Sequence, residues 1–385
     1  MGGAGTGEAE TGEAGTDGGG ASGAAYRKPR NGAPKRPRLE DVAARVGVST
    51  ASVSLVLRGV PGPSERTRQR VLRAAADLGY RVDRTASTLA SRRSRLLGVM
   101  VDIHSPFHAD LVEHLHSAAE EVGYDLVLST LTRTRGEEVA VETLLAFRSE
   151  ALILLGPTMA ADALAALDGR APVIAVGRRI SDAAALDVVR TADDDGVGQI
   201  VGHLVGLGHR EIAYVDGGKG GIAADRRRGY RTAMRRHGLG EHIRILAGDK
   251  TEASGERAVR QVLNSPRQVP NGPRQVPNGP EQVLDSPRLP TAIVAFNDQC
   301  AIGVLTALAR AGLAVPGAVS VAGYDDDKLS RLSSFNLTTV SQNAREQARH
   351  AVTAAVERLD HGRTEPREVV LTPHLVVRGT TAAPA

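Results

Sequence analysis

LEDVAARVGVSTASVSLVL, residues 39–57, reads as two short helices broken by a turn. Leu39, Val42, Ala43 and Val46 recur at i, i+3, i+4 and i+7, the spacing of one helix face. Gly47 suits the left-handed turn that ends such a helix, and Ser49 offers a side-chain oxygen to cap the next. The second helix, over 50–58, turns Val53, Val56 and Leu57 inward. After PGPS a third helix starts, capped by Ser64 and closed by Gly79, with Val71, Leu72, Ala75 and Leu78 as its apolar stripe. Residues 39–80 are thus expected to be three helices, the first two joined by a short turn.

The charge around this stretch is uneven. The 385-residue chain has a formal net charge of +4, yet residues 27–95 hold 17 Lys and Arg against five Asp and Glu. Residues 1–26 hold four acids and no cation, and 96–385 hold 31 cations and 35 acids. A compact cationic segment ahead of a mildly acidic body is the electrostatic footprint of nucleic-acid binding. No run of 18 apolar residues exists, so no membrane helix is expected, and the glycine-rich start lacks the apolar core of a secretory signal. One cysteine, Cys300, leaves no internal disulfide and fits a reducing compartment; a cytoplasmic protein without membrane contact is expected.

Beyond Leu96 the rhythm changes. LLGVMVD, YDLVLST, ALILLG, PVIAVGR, DVVRTAD, EIAYVDG, AIVAFND and VSVAGYD are apolar runs of strand length. Helical segments separate most of them, such as 107–122 with Leu111, Leu115, Ala118 and Val122 inward. That alternation implies an α/β fold with parallel sheets covered on both faces. Nearly 290 residues exceed one comfortable core, so two lobes with a cleft between them are expected. PRQVPNG stands twice at 266–279. Its prolines forbid a helix or central strand and two copies are too few for a solenoid, so it reads as a surface loop. The low-complexity start and the basic arm behind it, residues 1–38, are expected to be disordered.

A helix, a glycine turn and a second helix opening on small polar residues form a helix-turn-helix, whose second helix enters the DNA major groove. From these residues onward the sequence resembles the LacI/GalR (lac repressor-type) family of bacterial transcription factors. The match runs through LEDVAARVGVSTASVSLVLRG, SERTRQRVLRAAADLGYRVDRTASTLASRRS and LLGVMV. It continues in GHREIAYVDG, RRRGYRTAM, PTAIVAFNDQCAIGVLTAL, VPGAVSVAGYDD and LTTVSQ, covering about residues 39–380 apart from the proline-rich repeat.

The resemblance implies an N-terminal all-α helix-turn-helix domain at 39–82 and a hinge helix with linker at 83–95. A two-lobed, periplasmic-binding-protein-like effector and dimerisation domain follows at 96–380, with the insert at 264–290. It implies a homodimer on a palindromic double-stranded DNA operator. Thr50 and Ala51 take base-reading positions, while Ser49, Ser52 and Ser54 take phosphate-contacting ones. Leu55 stands where an Arg is common and Arg58 where an Asn is frequent, so the operator cannot be copied from better-known members. In the hinge, Ala86 packs across the dimer and Leu89 is the wedge that kinks the minor groove. Val82-Asp83 replaces the usual Pro-Asn before that helix.

For the effector, the resemblance points to Phe107, Arg178, Arg226, Asn297, Asp325 and Gln342. An aromatic face, two guanidiniums, amides and a carboxylate suit a hydroxylated ligand such as a sugar. Each also has a plain structural alternative: Asn297 as a cap, Asp325 as a loop acceptor, Arg226 as a helix-start cation. The histidines at 104, 108, 114 and 116 lack the spacing of a metal site, and DGGKGG lacks a P-loop ending. No catalytic constellation, metal or cofactor motif stands out, so no enzyme and no cofactor are expected. The competing readings are a solute-binding protein of a transporter and a regulator without a small-molecule effector.

Overall fold

A computed structural model describes residues 2, 37–57, 59–80, 93–180, 186–264 and 289–385. Arg58, the hinge positions Ala86 and Leu89, and the PRQVPNG repeat lie outside the described residues. The chain divides into two compact units, 1–90 and 91–385.

The first unit holds α1 (Leu39–Val46), α2 (Thr50–Leu57) and α3 (Glu65–Asp77). Gly47 ends α1 at φ 71°, a left-handed conformation that costs glycine no Cβ clash, and its N–H bonds back to the Ala43 carbonyl. Ser64 caps α3 by accepting from the Thr67 N–H. Val42, Ala43, Val46, Val53, Val56, Val71, Ala74 and Ala75 close a small core. Leu72 is 43 % exposed, contrary to the sequence expectation. It sits one helical step, about 100°, from Val71, and Ala74 occupies the inward position instead.

The second unit follows the alternating pattern. Its strands are β1 (Leu96–Asp102), β2 (Asp125–Leu131), β3 (Ala151–Leu155), β4 (Val173–Val176), β5 (Asp187–Thr191) and β6 (Ile212–Val215). They continue with β7 (Arg244–Leu246), β8 (Ala292–Ala295), β9 (Ser320–Ala322), β10 (Thr339–Ser341), β11 (Glu368–Leu371) and β12 (His374–Val376). The interleaved helices are α4 (Pro106–Glu121), α5 (Glu137–Ala146), α6 (Ala161–Asp168), α7 (Asp193–Gly206) and α8 (Gly221–Arg236). Then come α9 (Glu252–Asn264), α10 (Asp298–Arg310) and α11 (Ala344–Asp360).

Two parallel sheets result, ordered β11-β5-β4-β3-β1-β2 and β7-β6-β8-β9, with β10 and β12 paired antiparallel. The inner strands β1, β3 and β4 are apolar almost throughout because helices cover both faces of the sheet there, while the edge strands β2 and β11 stay partly exposed. Within α4, Leu111, Leu115 and Ala119 are the buried stripe, while Val122 falls beyond the helix end and is 41 % exposed. The two sheets belong to two lobes, and the described chain passes between them three times. It crosses after β5, returns after β10 to lay α11 on the first sheet, and leaves again after β11.

Candidate ligand cavity and DNA-reading helix

A cavity of about 190 Å³ lies between the lobes. It sits beyond the carboxyl ends of β1, β3, β4, β8 and β9, where open parallel sheets place ligands. Phe107 walls it from the start of α4, and Asn297, Asp325 and Gln342 line it from the other side.

Arg226 is the organising cation. Its Nε donates to Asp193 Oδ1 at 2.8 Å, its Nη1 to the Phe296 carbonyl at 2.7 Å and its Nη2 to Asp325 Oδ1 at 3.2 Å. The guanidinium lies 3.7 Å from the Tyr324 ring centroid and 4.8 Å from that of Phe296. Burial works against its charge, but Asp193 and Asp325 outweigh burial and keep it protonated. Two glycines make room for the rings. A Cβ on Gly196 would meet the Tyr324 hydroxyl at 2.3 Å, and one on Gly217 would meet the Phe296 ring at 2.3 Å.

Asp325 stands at φ 119°, a strained position for a residue with a side chain. Its Oδ1 also accepts from Gln342 Nε2 at 2.7 Å. Burial pushes its carboxyl up to about 7, against the pull of Arg226. Asn297 fills two roles: it lines the cavity, and its Oδ1 caps α10 by accepting from the Cys300 N–H at 2.9 Å. Five of the six expected ligand residues therefore converge. Arg178 does not: its Nη1 donates to the carbonyls of Pro157 and Met159 at 3.1 and 2.6 Å, bracing the loop whose Thr158 reaches the cavity.

Sequence reasoning missed other lining groups. Asp102, at the end of β1, pairs with Lys250 of the opposite lobe. Burial alone would raise the Asp102 carboxyl, but Lys250 and the His104 amide hold it below its ordinary value. His108 Nδ1 accepts from the Asp102 N–H at 3.2 Å, and burial holds this imidazole down at about 4. It is therefore neutral with its proton on Nε2, a donor at the cavity wall. Gln347, in the first turn of α11, is fully buried and also lines the cavity. A residue at the end of an apolar strand was a usable signal for Asp102; nothing in the local sequence marks Lys250 or Gln347. Among the described residues, no cluster of His, Cys, Asp and Glu could hold a metal ion, and no helix is long and apolar enough to cross a membrane.

In the first unit, the Ser49 hydroxyl caps α2, accepting from the Ser52 N–H at 3.2 Å and lying 2.9 Å from its hydroxyl. Thr50 and Ala51 are exposed, while Ser52, Ser54 and Leu55 are half-buried. Thr50 and Ala51 are thus the most open of the expected contact residues on α2.

Comparison with known proteins agrees with both halves. The "Bacterial regulatory proteins, lacI family" description matches residues 38–83. "Periplasmic binding proteins and sugar binding domain of LacI family" matches residues 94–273, and a periplasmic-binding-protein-like domain matches 201–381. The lactose operon repressor of Escherichia coli (strain K12) is 32% identical over 352 residues, covering 90% of this chain and 91% of that protein. This chain belongs to the lacI family. As a lacI-family protein it is a transcriptional regulator with a helix-turn-helix region ahead of an α/β ligand-binding fold. A solved lac repressor dimer, bound to operator and the anti-inducer ONPF, is similar at TM-score 0.73 and 29% identity, covering 91% of this chain and all of that one. A complex of the regulator CelR with cellobiose is similar at TM-score 0.61 and 27% identity, covering 90% and 100%.

Proposed function

We propose that this lacI-family regulator acts in the cytoplasm as a homodimeric repressor on a palindromic operator, and that an uncharged sugar in the interlobe cavity controls its grip on DNA. The observation that carries the reading is the Arg226–Asp325–Gln342 frame at the carboxyl ends of the strands. It leaves carboxylate, amide and guanidinium edges facing a space the size of a small solute, beside the Phe107 ring. Vicinal hydroxyls are both donors and acceptors, and such mixed edges satisfy them.

The charge of the cavity selects against anions. Arg226 and Lys250, the cations that line it, already serve Asp325, Asp193 and Asp102. Among the described residues a phosphorylated sugar would find no unpaired cation lining the cavity, so the neutral sugar is the better ligand. The CelR–cellobiose complex, on a similar chain, supports a sugar of this type. The helix-turn-helix unit and the family relationship weigh against a transporter's solute-binding protein and against an enzyme.

The test is a calorimetric titration with lactose, cellobiose, galactose, glucose and glucose 6-phosphate, paired with a gel shift on the DNA upstream of the protein's own gene. Binding of a neutral sugar that changes DNA affinity is expected. Tighter binding of glucose 6-phosphate than of every neutral sugar overturns the neutral-ligand reading, and uptake of none of the five overturns the sugar reading.

A further inference from the structure

Helix α11 has its two ends in different places, and both ends carry unusual chemistry. At its start Gln347 is fully buried against the cavity. The Nε2 of Gln347 donates to Thr191 Oγ1 and to the Gln342 carbonyl, each at 3.0 Å, which fixes the amide. Its Oε1 has no hydrogen-bond partner. A buried acceptor left unpaired keeps its desolvation cost, and a hydroxyl brought by a ligand would satisfy it.

At the other end, the last residue of α11 holds the chain that arrives from the DNA-binding unit. Asp360 Oδ1 accepts from Arg93 Nη1 at 2.5 Å and from the Tyr124 hydroxyl at 3.0 Å. The Arg93 guanidinium also reaches Glu150 Oε2 at 2.5 Å. Next to it, the Arg95 N–H donates to Glu150 Oε1 at 2.9 Å, and the Arg95 guanidinium lies over the Tyr124 ring at 5.1 Å. Residues 93–95, the end of the hinge-and-linker segment that the family resemblance assigns to 83–95, are thereby clamped onto one lobe.

Gln347 and Asp360 stand 13 helical steps apart on an unbroken helix, about 20 Å at 1.5 Å per residue. Ala348, Ala351, Val352 and Ala355 bury its inner face in the first lobe's core, so it moves as a rod with that lobe.

We propose that α11 carries the state of the cavity to the DNA linker, with Gln347 reading a donor group of the ligand and the Asp360–Arg93 contact holding the linker. This rests on the ligand-controlled reading given above. A spatial route alone is not coupling; what is needed is an energetic dependence of one end on the other. Substitutions about 20 Å apart with no shared partner multiply their effects to within about twofold.

The experiment is a double-mutant cycle on the full-length protein, measured as affinity for its own upstream DNA with no sugar present. Gln347→Leu removes the orphan acceptor and the hydrogen bonds that its side-chain amide donates at the cavity, and it is expected to change DNA affinity about 5- to 150-fold, the usual range of allosteric coupling. Asp360→Asn or Arg93→Gln should cancel that change, so that each double variant matches its linker-side parent. Using both variants guards against one that folds poorly, since both side chains sit at a partly exposed edge. Unchanged DNA affinity in Gln347→Leu, or doubles equal to the product of the singles, overturns the proposal. Lactose and cellobiose titrations run alongside; if neither binds the wild type, that result bears on the sugar reading alone, because the cycle contains no sugar.

Discussion

Asp193 and Arg226 form an ion pair almost completely removed from water, with exposures of 3 % for both residues. Such a pair is costly to break from one side, because the partner is left as an uncompensated buried charge. Arg226→Leu should therefore cost about 3–5 kcal/mol of unfolding free energy in a urea titration. Arg226→Lys should also fail to restore the wild type, because one ammonium cannot reach two carboxylates and the Phe296 carbonyl in the fork geometry of a guanidinium. Wild-type stability in Arg226→Leu would mean that water or a local rearrangement compensates Asp193 and Asp325.

Gly196→Ala and Gly217→Ala should each disturb the ring pair around Arg226. The added Cβ would come within 2.3 Å of Tyr324 or Phe296, and overpacking of a dense core costs about 1–3 kcal/mol. Because Phe296 lines the cavity, Gly217→Ala should also weaken ligand uptake, whereas Gly196→Ala should act mainly on stability. Calorimetric binding and thermal melts of the two variants separate these effects.

Much of this architecture was legible in the sequence, for a physical reason. Parallel strands packed between helices are largely apolar, and all eight apolar runs named from the sequence became strands. The strands that escaped notice include β7, β10 and β12, three residues each and too short to show a period. The site was legible where a residue follows such a run, as Asn297 and Asp325 do. Lys250 was not, because it acts through Asp102, 148 residues away, and only the lobe arrangement joins them. Gln347 was hidden for a different reason: a polar residue near a helix start reads as surface until the packing shows it buried.

Stability should fall on the acid side through His108. Burial holds its imidazole at about 4, against an ordinary value of 6.5, so the folded state favours the neutral form. A depressed value contributes stability that is present above pH 6.5 and lost as pH falls toward 4, because the unfolded chain takes the proton first. Asp102 pulls the other way and Lys250 adds to the depression. Urea midpoints measured from pH 7 to pH 4 should decline in the wild type, and that decline should be shallower in His108→Gln. An equal decline in both assigns the acid sensitivity to other groups.

Removing residues 266–286 should leave the fold intact. The helix before this stretch, α9, ends at Asn264 with Val259 and Val262 buried, and β8 begins at Ala292, so the core elements on both sides are complete without it. Loop closure entropy changes slowly with length, by about 0.6 kcal/mol per doubling, so shortening costs little. Thermal midpoint and DNA affinity of the deletion variant should match the wild type. Loss of soluble expression would give the repeat a structural role.

DNA binding should depend steeply on salt and should reside in the first unit. Residues 27–95 carry 17 Lys and Arg against five acids, while the remainder beyond them is acidic. Within α1 and α3, Arg45, Arg66 and Arg73 show no acidic partner among the described residues, whereas Arg68 pairs with Glu65. Each phosphate neutralised releases condensed counterions, and the binding constant then falls with a slope of about 0.9 per contact in a double-logarithmic plot. On the order of six to ten contacts for a dimer gives a loss of about 10³–10⁵-fold between 50 and 200 mM salt. The exposed Thr50 hydroxyl can add one hydrogen bond to a base edge and the methyls of Thr50 and Ala51 only apolar contacts, so Thr50→Ala should lower discrimination between operator and random DNA while leaving the salt slope unchanged. Anisotropy titrations at four salt concentrations, on operator and random duplexes, measure both quantities. A slope near zero, or a Thr50→Ala effect equal on both duplexes, removes α2 as the reading element.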